Sequence, residues 1–519
     1  MAYYSTHPIS LIAFCVVSTG TFWLTRYIWK GLSGGPKAPL PPGPRLLPVV
    51  GSLFDIDVSE PWLAYTRWAK KYGDIVHFRV LGKDHIVINS ETVARELLEK
   101  RSKSYSDRPS VATNHLFGLD FNTALLPYSD RWKSHRKIYH QTFRPESVVV
   151  YRAVQFQKAH ILLLSLLESP DNFMMHLQTY GASIIMSIVY GYEITHRNDP
   201  VVANIQKVIH LAAEGLTPER AALLGTFPFL RNIPAWFPGA AFKRNALVCQ
   251  KLAPEVFDAP IEHAKKNMST TSAESLVSQI LAQAPDQKTL QAMKDCAASS
   301  FLAGTGTTES TLSIFVLAMV LHPDVQERAQ MEIDTVIGEG RLPDSNDRPS
   351  LPYVEALFRE LFRWHTAVPL SVPTVAAHED VFNGYLIPKG AIITTNQWAM
   401  AYDEDRYPDP YRFHPERHLT EDGKLATDSG APAFGFGRRI CPGRYIGDAS
   451  VWIALASMLA LFRFEKAVDS EGQKVEIEPV FVTGVARHLL AFPCSIKSRS
   501  AEREELVRSC FDGATNKDV

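Results

Sequence analysis

Apolar residues recur at intervals of three and four over 174–193, 288–321, 350–365 and 443–462, the period of helices that bury one face or more. Each stretch is predicted to be helical. Period-two alternation is rarer. "DIVHFRVLGKDHIVINS" (74–90) alternates around a Gly-Lys turn, and "VFNGYLIPKGAIITTN" (381–396) has a similar pattern. Both read as hairpins. The balance predicts a mainly α chain with few strands.

One apolar run is of another kind. "ISLIAFCVVSTGTFWLT" (9–25) carries no charge, and as a helix it would rise about 25 Å, close to the thickness of a hydrocarbon core. Trp23, Tyr27 and Trp29 suit an interfacial belt, while Arg26, Lys30, Lys37 and Arg45 all follow the run. That asymmetry places the rest of the chain on the cytosolic side. The preceding "MAYYSTHP" lacks the basic start of a cleaved signal, so 1–30 reads as a single-pass transmembrane signal anchor. "APLPPGPRLLPVVG" (38–51) has five prolines, which stiffen the chain. Residues 31–50 are therefore read as a rigid spacer, 51–498 as one catalytic body, and 499–519 as a mobile polar tail without periodicity. Between 215 and 244, prolines alternate with Phe227, Phe229, Trp236 and Phe237. Such a segment suits a loop that dips into a bilayer or gates a pocket, or a plain folded surface loop.

Composition narrows the function. With 519 residues, 46% of them hydrophobic, the chain can bury a large core. Its 54 Lys and Arg against 55 Asp and Glu, a net charge of −1, give no global field to recruit nucleic acid. The six cysteines, Cys15, Cys249, Cys296, Cys441, Cys494 and Cys510, are scattered without a CxxC pair, which favours a reducing compartment.

"FGFGRRICPG" (434–443) carries the densest candidate chemistry. Pro442 suits a first helical turn, which would set Cys441 at a helix N-terminus, where unpaired N–H groups and the dipole favour thiolate. Gly435, Gly437 and Gly443 allow close backbone approach, Phe434 offers an apolar wall, and Arg439 suits a carboxylate. A dinucleotide loop is excluded, because Gly435-x-Gly437-x-x reaches Ile440 instead of a third glycine. From these residues alone, a buried small hydrophobe, a nucleophile in need of one of the 17 histidines, and a metal ligand all stay open.

The stretch matches Phe-x-x-Gly-x-Arg-x-Cys-x-Gly, the haem-ligand loop of the cytochrome P-450 superfamily, at Phe434, Gly437, Arg439, Cys441 and Gly443, and the chain resembles that family over about 40–496. The resemblance implies the family fold, a large helical body with a small β-rich subdomain, here with an N-terminal transmembrane helix. It implies haem b with Cys441 thiolate as the iron ligand and Arg439 on a propionate. "ELFR" places Glu360 and Arg363 on one helix face, and "FHPER" (413–417) resembles the Pro-x-Arg segment whose Arg417 would complete a buried structural cluster. In "DRWKSHR", Trp132 and Arg136 resemble the Trp-x-x-x-Arg that packs on haem and binds a propionate. "SSFLAGTGTTESTLSIF" (299–315) matches the oxygen-binding helix at Ala303-Gly304-x-x-Thr307. The resemblance implies a local helix distortion there, with Thr307 guiding protons and Gly304 and Thr308 beside it.

Two positions depart from the family. Gly306 stands where an Asp or Glu commonly precedes the threonine, and Glu309 projects about 200° around the helix from Thr307, a poor substitute. Thr374, after "AVPLSVP", stands where Arg or His often contacts a propionate. By the same resemblance the substrate pocket is walled by Leu116, Phe117, Phe301, Val368 and Val482.

The expected activity is a haem-thiolate monooxygenase of the endoplasmic reticulum membrane, which inserts one oxygen atom from O2 into a lipophilic small molecule. Its electrons would come from a separate NADPH-cytochrome reductase docking near Arg438 and Arg444. Membrane lipid is the other expected partner. The style of the chain resembles fungal members that tailor secondary metabolites, with terpenoid, polyketide or indole-like scaffolds. A reductase-independent haem-thiolate isomerase, dehydratase or peroxygenase, and a non-catalytic membrane-bound ligand carrier, are the rival classes.

Overall fold

The computed structural model describes residue 21 and residues 38–48, 50–109, 112–194, 199–215, 224–225, 227–267, 274–427, 432–482 and 486–515. The anchor expected over 9–25 lies outside the described residues, residue 21 apart. Among the described helices, Gln287–Leu321 is long and apolar enough to cross a membrane, but 72% of its most apolar window is buried inside the protein.

Among the helices that build the core are α1 (Asp130–Phe143), α2 (Arg152–Glu168), α3 (Phe173–Ile185), α4 (Gln287–Leu321), α5 (Pro323–Val336), α6 (Pro352–Trp364) and α7 (Arg444–Leu461). The four helical expectations fall on α3, α4, α6 and α7. The first of these runs on as a π-helical turn over Met186–Tyr190 and stops at Gly191, whose φ of 64° is left-handed. Helix α4 starts where Asp286 accepts a hydrogen bond from the Thr289 N–H, which satisfies one of the free amides of the first turn. From Ser310 to Val320 every side chain of α4 is buried, because α1, α3, α6 and α7 all pack around it. That is why its sequence is apolar on all faces.

Among the described residues the strands make one four-stranded sheet and three two-stranded pairs. β1 (Ile75–Val80) and β2 (Lys83–Ile88) make the expected hairpin, but its turn is Leu81-Gly82, with φ of 48° and 79°, and Lys83 already belongs to the strand. The second expected hairpin divides. β4 (Asp380–Phe382) pairs with β5 (Tyr385–Ile387), whereas β6 (Ile392–Thr395) leaves them to lie parallel to β2 and antiparallel to β3 (Thr374–Val375), giving the order β1-β2-β6-β3. Two further pairs join β7 (Phe462–Lys466) to β10 (Cys494–Ser498), and β8 (Phe481–Val482) to β9 (His488–Leu489), and these four strands pack into the helical core.

Two expectations for the chain ends are corrected. The described part of the proline segment is bonded onto the small sheet: the His77 N–H donates to Pro42 O at 3.0 Å and the Leu386 N–H to Pro39 O at 2.7 Å. It is therefore no free spacer. The polar tail forms helix α8 (Ala501–Thr515). Arg499 and Arg503 clamp its start onto Asp334 of α5 at 2.5 and 2.6 Å, and Val507 is fully buried. Hydrogen bonds from His160 Nε2 to Val507 O at 2.7 Å and from Arg503 to Ala460 O at 2.5 Å add to the docking.

Candidate functional site

Cys441 lies in the loop that feeds α7. The helix begins at Arg444 with Gly443 at its N-cap, so Pro442 precedes the first turn instead of opening it, and Cys441 stands two residues outside the cap. The loop is shaped by its glycines. Gly437 has φ of 59°, and a Cβ there would sit 1.8 Å from Leu98 O, so only glycine fits. The Cys441 N–H donates to Phe434 O at 2.9 Å, and the Phe434 ring packs on Phe362 at 5.4 Å. Gly443, with φ of −88°, has no chain atom within 4 Å of its Cβ direction. Burial pushes the Cys441 thiol up, against the Gly443 N–H and the charges of Arg136 and Arg444. The helix end alone therefore does not produce the thiolate expected from sequence; iron coordination would.

Beside this loop is an excess of positive charge. Arg136 donates to Ile440 O at 2.9 Å, next to the cysteine. The Arg439 guanidinium lies 4.3 Å from the centre of the buried Trp132 ring, donates to Ser106 O and Leu126 O at 2.8 and 2.9 Å, and leaves its buried NH1 unpaired. Arg108, which sequence reasoning missed, donates to Ala124 O, Val372 O and Pro373 O at 2.7, 2.6 and 2.7 Å. Burial and the charge of Arg439 push Arg108 down to about 9. Burial likewise brings Arg439 down to about 10, with Asp107 opposing and Arg136 assisting. Asp107 instead accepts the Arg108 and Tyr128 N–H groups at 2.9 and 2.8 Å. Among the described residues no carboxylate pairs with Arg108, Arg136 or Arg439. Three crowded guanidiniums without an anion are the complement of a dianionic ligand. Thr374, buried with its hydroxyl unpaired, follows directly on the two carbonyls that hold Arg108. The fold thus sets the Arg108 guanidinium beside the segment that carries Thr374.

Under the loop, Glu360 and Arg363 form a two-pronged pair, both contacts 2.7 Å and both residues fully buried. Arg417 Nε reaches Glu360 at 3.2 Å, as expected. Two further partners were not read from the sequence: His418 Nε2 at 3.1 Å and the His414 N–H at 2.9 Å. Although burial pushes the Glu360 carboxyl up, Arg363 and His418 outweigh it and hold it at about 2.

On the opposite face, α4 runs as an unbroken α-helix through Gly304 and Gly306, so the expected distortion is not seen. Thr307 spends its hydroxyl on Ala303 O at 2.9 Å, and Thr308 does the same to Gly304 O at 2.8 Å. Thr307 shares an accessible face with Ala303, whereas Phe301 and Thr305 are buried. Gly304 has a packing reason: a Cβ there would lie 2.5 Å from Ile185 Cδ1. Thr308 likewise faces α3, 3.5 Å from where a Cβ on Gly181 would lie. Gly304 and Thr308 thus make the α3–α4 contact. Glu309 has no described partner, and burial raises it to about 7.

The pocket residues divide too. Phe117 and Phe301 are 0% exposed and belong to the packed core, which corrects their expected place as pocket walls. Leu116 and Val368 are half-buried, and Val482 is 51% exposed.

A helical body with small sheets, a cysteine loop over a core ion cluster, and beside that loop an arginine group that no described carboxylate pairs with fit the haem-thiolate class. Comparison with known proteins agrees. The sequence model of the family described as Cytochrome P450 matches residues 41–492. The chain is 38% identical over 484 residues to cytochrome P450 monooxygenase ple1 of Rhodocybe pseudopiperita, covering 91% of this chain and 92% of that one. It is 36% identical over 485 residues to cytochrome P450 monooxygenase COX1 of Coprinopsis cinerea, covering 91% and 93%, and 37% identical over 482 residues to cytochrome P450 monooxygenase claR of Ampulloclitocybe clavipes, covering 92% and 90%. The chain belongs to the cytochrome P450 family and is an oxidoreductase of the monooxygenase type. The family carries a thiolate-ligated haem iron and uses dioxygen, a redox partner and small substrates.

Proposed function

We propose that the protein binds haem b through Cys441 and inserts one oxygen atom of O2 into a lipophilic small molecule, with electrons from an NADPH-cytochrome reductase. The observation that carries the assignment of residues is that, among the described residues, no carboxylate pairs with Arg108, Arg136 or Arg439, the last two of which lie over Trp132 beside the cysteine loop. The three arginines would hold the two propionates, Trp132 and Phe434 would pack on the ring, and the Gly443 N–H would steady the sulfur. Gly437 and Arg136 fix the loop that presents Cys441. Bound there, haem supplies the reductive activation of dioxygen. Thr307 lies on the accessible face of α4, where its hydroxyl can turn from Ala303 O to pass a proton.

Membrane association is part of the proposal. Phe229, Trp236 and Phe237 are 66%, 78% and 47% exposed, a patch suited to the lipid interface, and it supports a place on the cytosolic face of the endoplasmic reticulum with 9–25 as anchor. The substrate is read as a terpenoid, polyketide or indole-like scaffold in a tailoring step of fungal secondary metabolism, supported by apolar Leu116 and Val368 and by relatives from fungi. Gly306 favours a second reading, a reductase-independent isomerase, dehydratase or peroxygenase.

The test is an untargeted product comparison in a host expressing the chain with a reductase under labelled dioxygen, against Cys441→Ala. One heavy oxygen in a new lipophilic product, absent from the variant, is expected. Products that form without the reductase favour the second reading.

A further inference from the structure

Gly306 leaves α4 without an acid next to Thr307, and the fold sets another titratable group against that gap. A Cβ on Gly306 would lie 3.1 Å from His488 Cε1 and 3.7 Å from its Nε2. The imidazole thus fills the space a side chain at 306 would take. Its place is fixed from two sides. One turn along α4, Ser310 donates to Arg487 O at 2.6 Å, and His488 is paired with Val482 in the β8–β9 ribbon. The His488 ring has no hydrogen-bond or ion-pair partner among the described residues, so both nitrogens are free to exchange protons.

We propose that His488 is a positioning residue on the proton path to the reaction face, standing where the family places an acid and acting through Thr307. The imidazole takes a proton from solvent at one nitrogen and releases one from the other to the Thr307 hydroxyl, which passes its own proton on as it turns from Ala303 O. Each N–H or O–H bond broken is matched by one formed, and no net charge builds up. Burial lowers the ring's proton affinity, so at neutral pH it is uncharged and can both accept and donate. The titratable and charged groups around it are accounted for. The Arg487 guanidinium lies over the Phe481 ring at 3.7 Å, faces Glu60 at 3.7 Å, and meets the buried His365 at 3.4 Å. His365 also feels the charge of a protonated His488 directly, and Glu309, about 60° round α4 from Gly306, is a competing carrier among the described residues.

Dioxygen itself is the probe, so no substrate is needed. Holoprotein in membranes with an NADPH-driven flavoprotein reductase is compared as wild type, His488→Phe, His488→Gln, Glu309→Gln, and His488→Ala with and without Gly306→Asp. The readout is water formation, at two NADPH per dioxygen, against peroxide release, at one. Both His488→Phe and His488→Gln are expected to cut water formation by at least about tenfold in favour of peroxide and to change the solvent deuterium isotope effect, while Gly306→Asp restores His488→Ala. A second, activity-free arm follows unfolding temperature. The helix-propensity gain of Gly306→Ala should appear in full only when His488→Ala removes the ring. Unchanged water formation in both His488 variants, the loss seen in Glu309→Gln instead, or additive unfolding shifts would each overturn the proposal.

Discussion

The Cys441 side and the Thr307 side of the core are built on different principles. On the Cys441 side, buried charge fixes the geometry: Glu360 is held by Arg363, Arg417, His418 and the His414 N–H, and Arg136 pins the loop through Ile440 O. On the Thr307 side, α4 is positioned by shape, with Ile185 pressed on Gly304 and His488 on Gly306. The two serve different needs. A buried ion network has one low-energy arrangement and stays rigid, which suits a loop that must hold a metal. A helix fitted through glycines keeps small polar groups near the reaction face without locking them.

This contrast can be broken by mutation, and the largest effect should come from Glu360→Ala. It strands buried cations and should cost about 3–5 kcal/mol in denaturant unfolding; a loss below about 1 kcal/mol would mean the network is not what holds this side. The same carboxylate sets the acid limit. Held at about 2 instead of its usual 4.5, it contributes about 3 kcal/mol that is fully present above pH 4.5 and lost as pH falls towards 2. The stability gap between wild type and Glu360→Gln should therefore shrink as unfolding is measured from about pH 6 down to about pH 3.

Gly437→Ala must displace either the loop or the Leu98 carbonyl, at about 1–3 kcal/mol, and should weaken haem retention more than it weakens the rest of the fold. Gly304→Ala should show the smallest net change. Its helix gain of about 1 kcal/mol is offset by overpacking of about 1–3 kcal/mol against Ile185. In an Ile185→Ala background the sign should reverse, and a thermal-unfolding cycle that finds the two changes additive would remove the shape-fitting argument.

The same contrast explains what could be read from the sequence. The cysteine loop spans ten residues and the Glu360–Arg363 pair is one helical turn, so spacing alone presents them. Four of the long helices were equally legible from their apolar periodicity, whereas Arg152–Glu168, Pro323–Val336 and Ala241–Asn267 were not singled out. Arg108, Ile185 and His488 meet Val372–Pro373, Gly304 and Gly306 across more than a hundred residues, and nothing local marks them. The packing at Gly304 was therefore not legible from the sequence. Strand β6 was misassigned for a similar reason: its parallel partner β2 lies some three hundred residues earlier. The docking of α8 depends on Asp334, equally remote in sequence.

The measurement that tests the central claim most directly is the absorption spectrum of the reduced protein with carbon monoxide, for wild type, Cys441→Ala and Cys441→His. Thiolate ligation by Cys441 predicts the red-shifted band in wild type alone, with Cys441→His still retaining haem but lacking that band. A red-shifted band that survives in Cys441→Ala would contradict the assignment and move the iron ligand elsewhere.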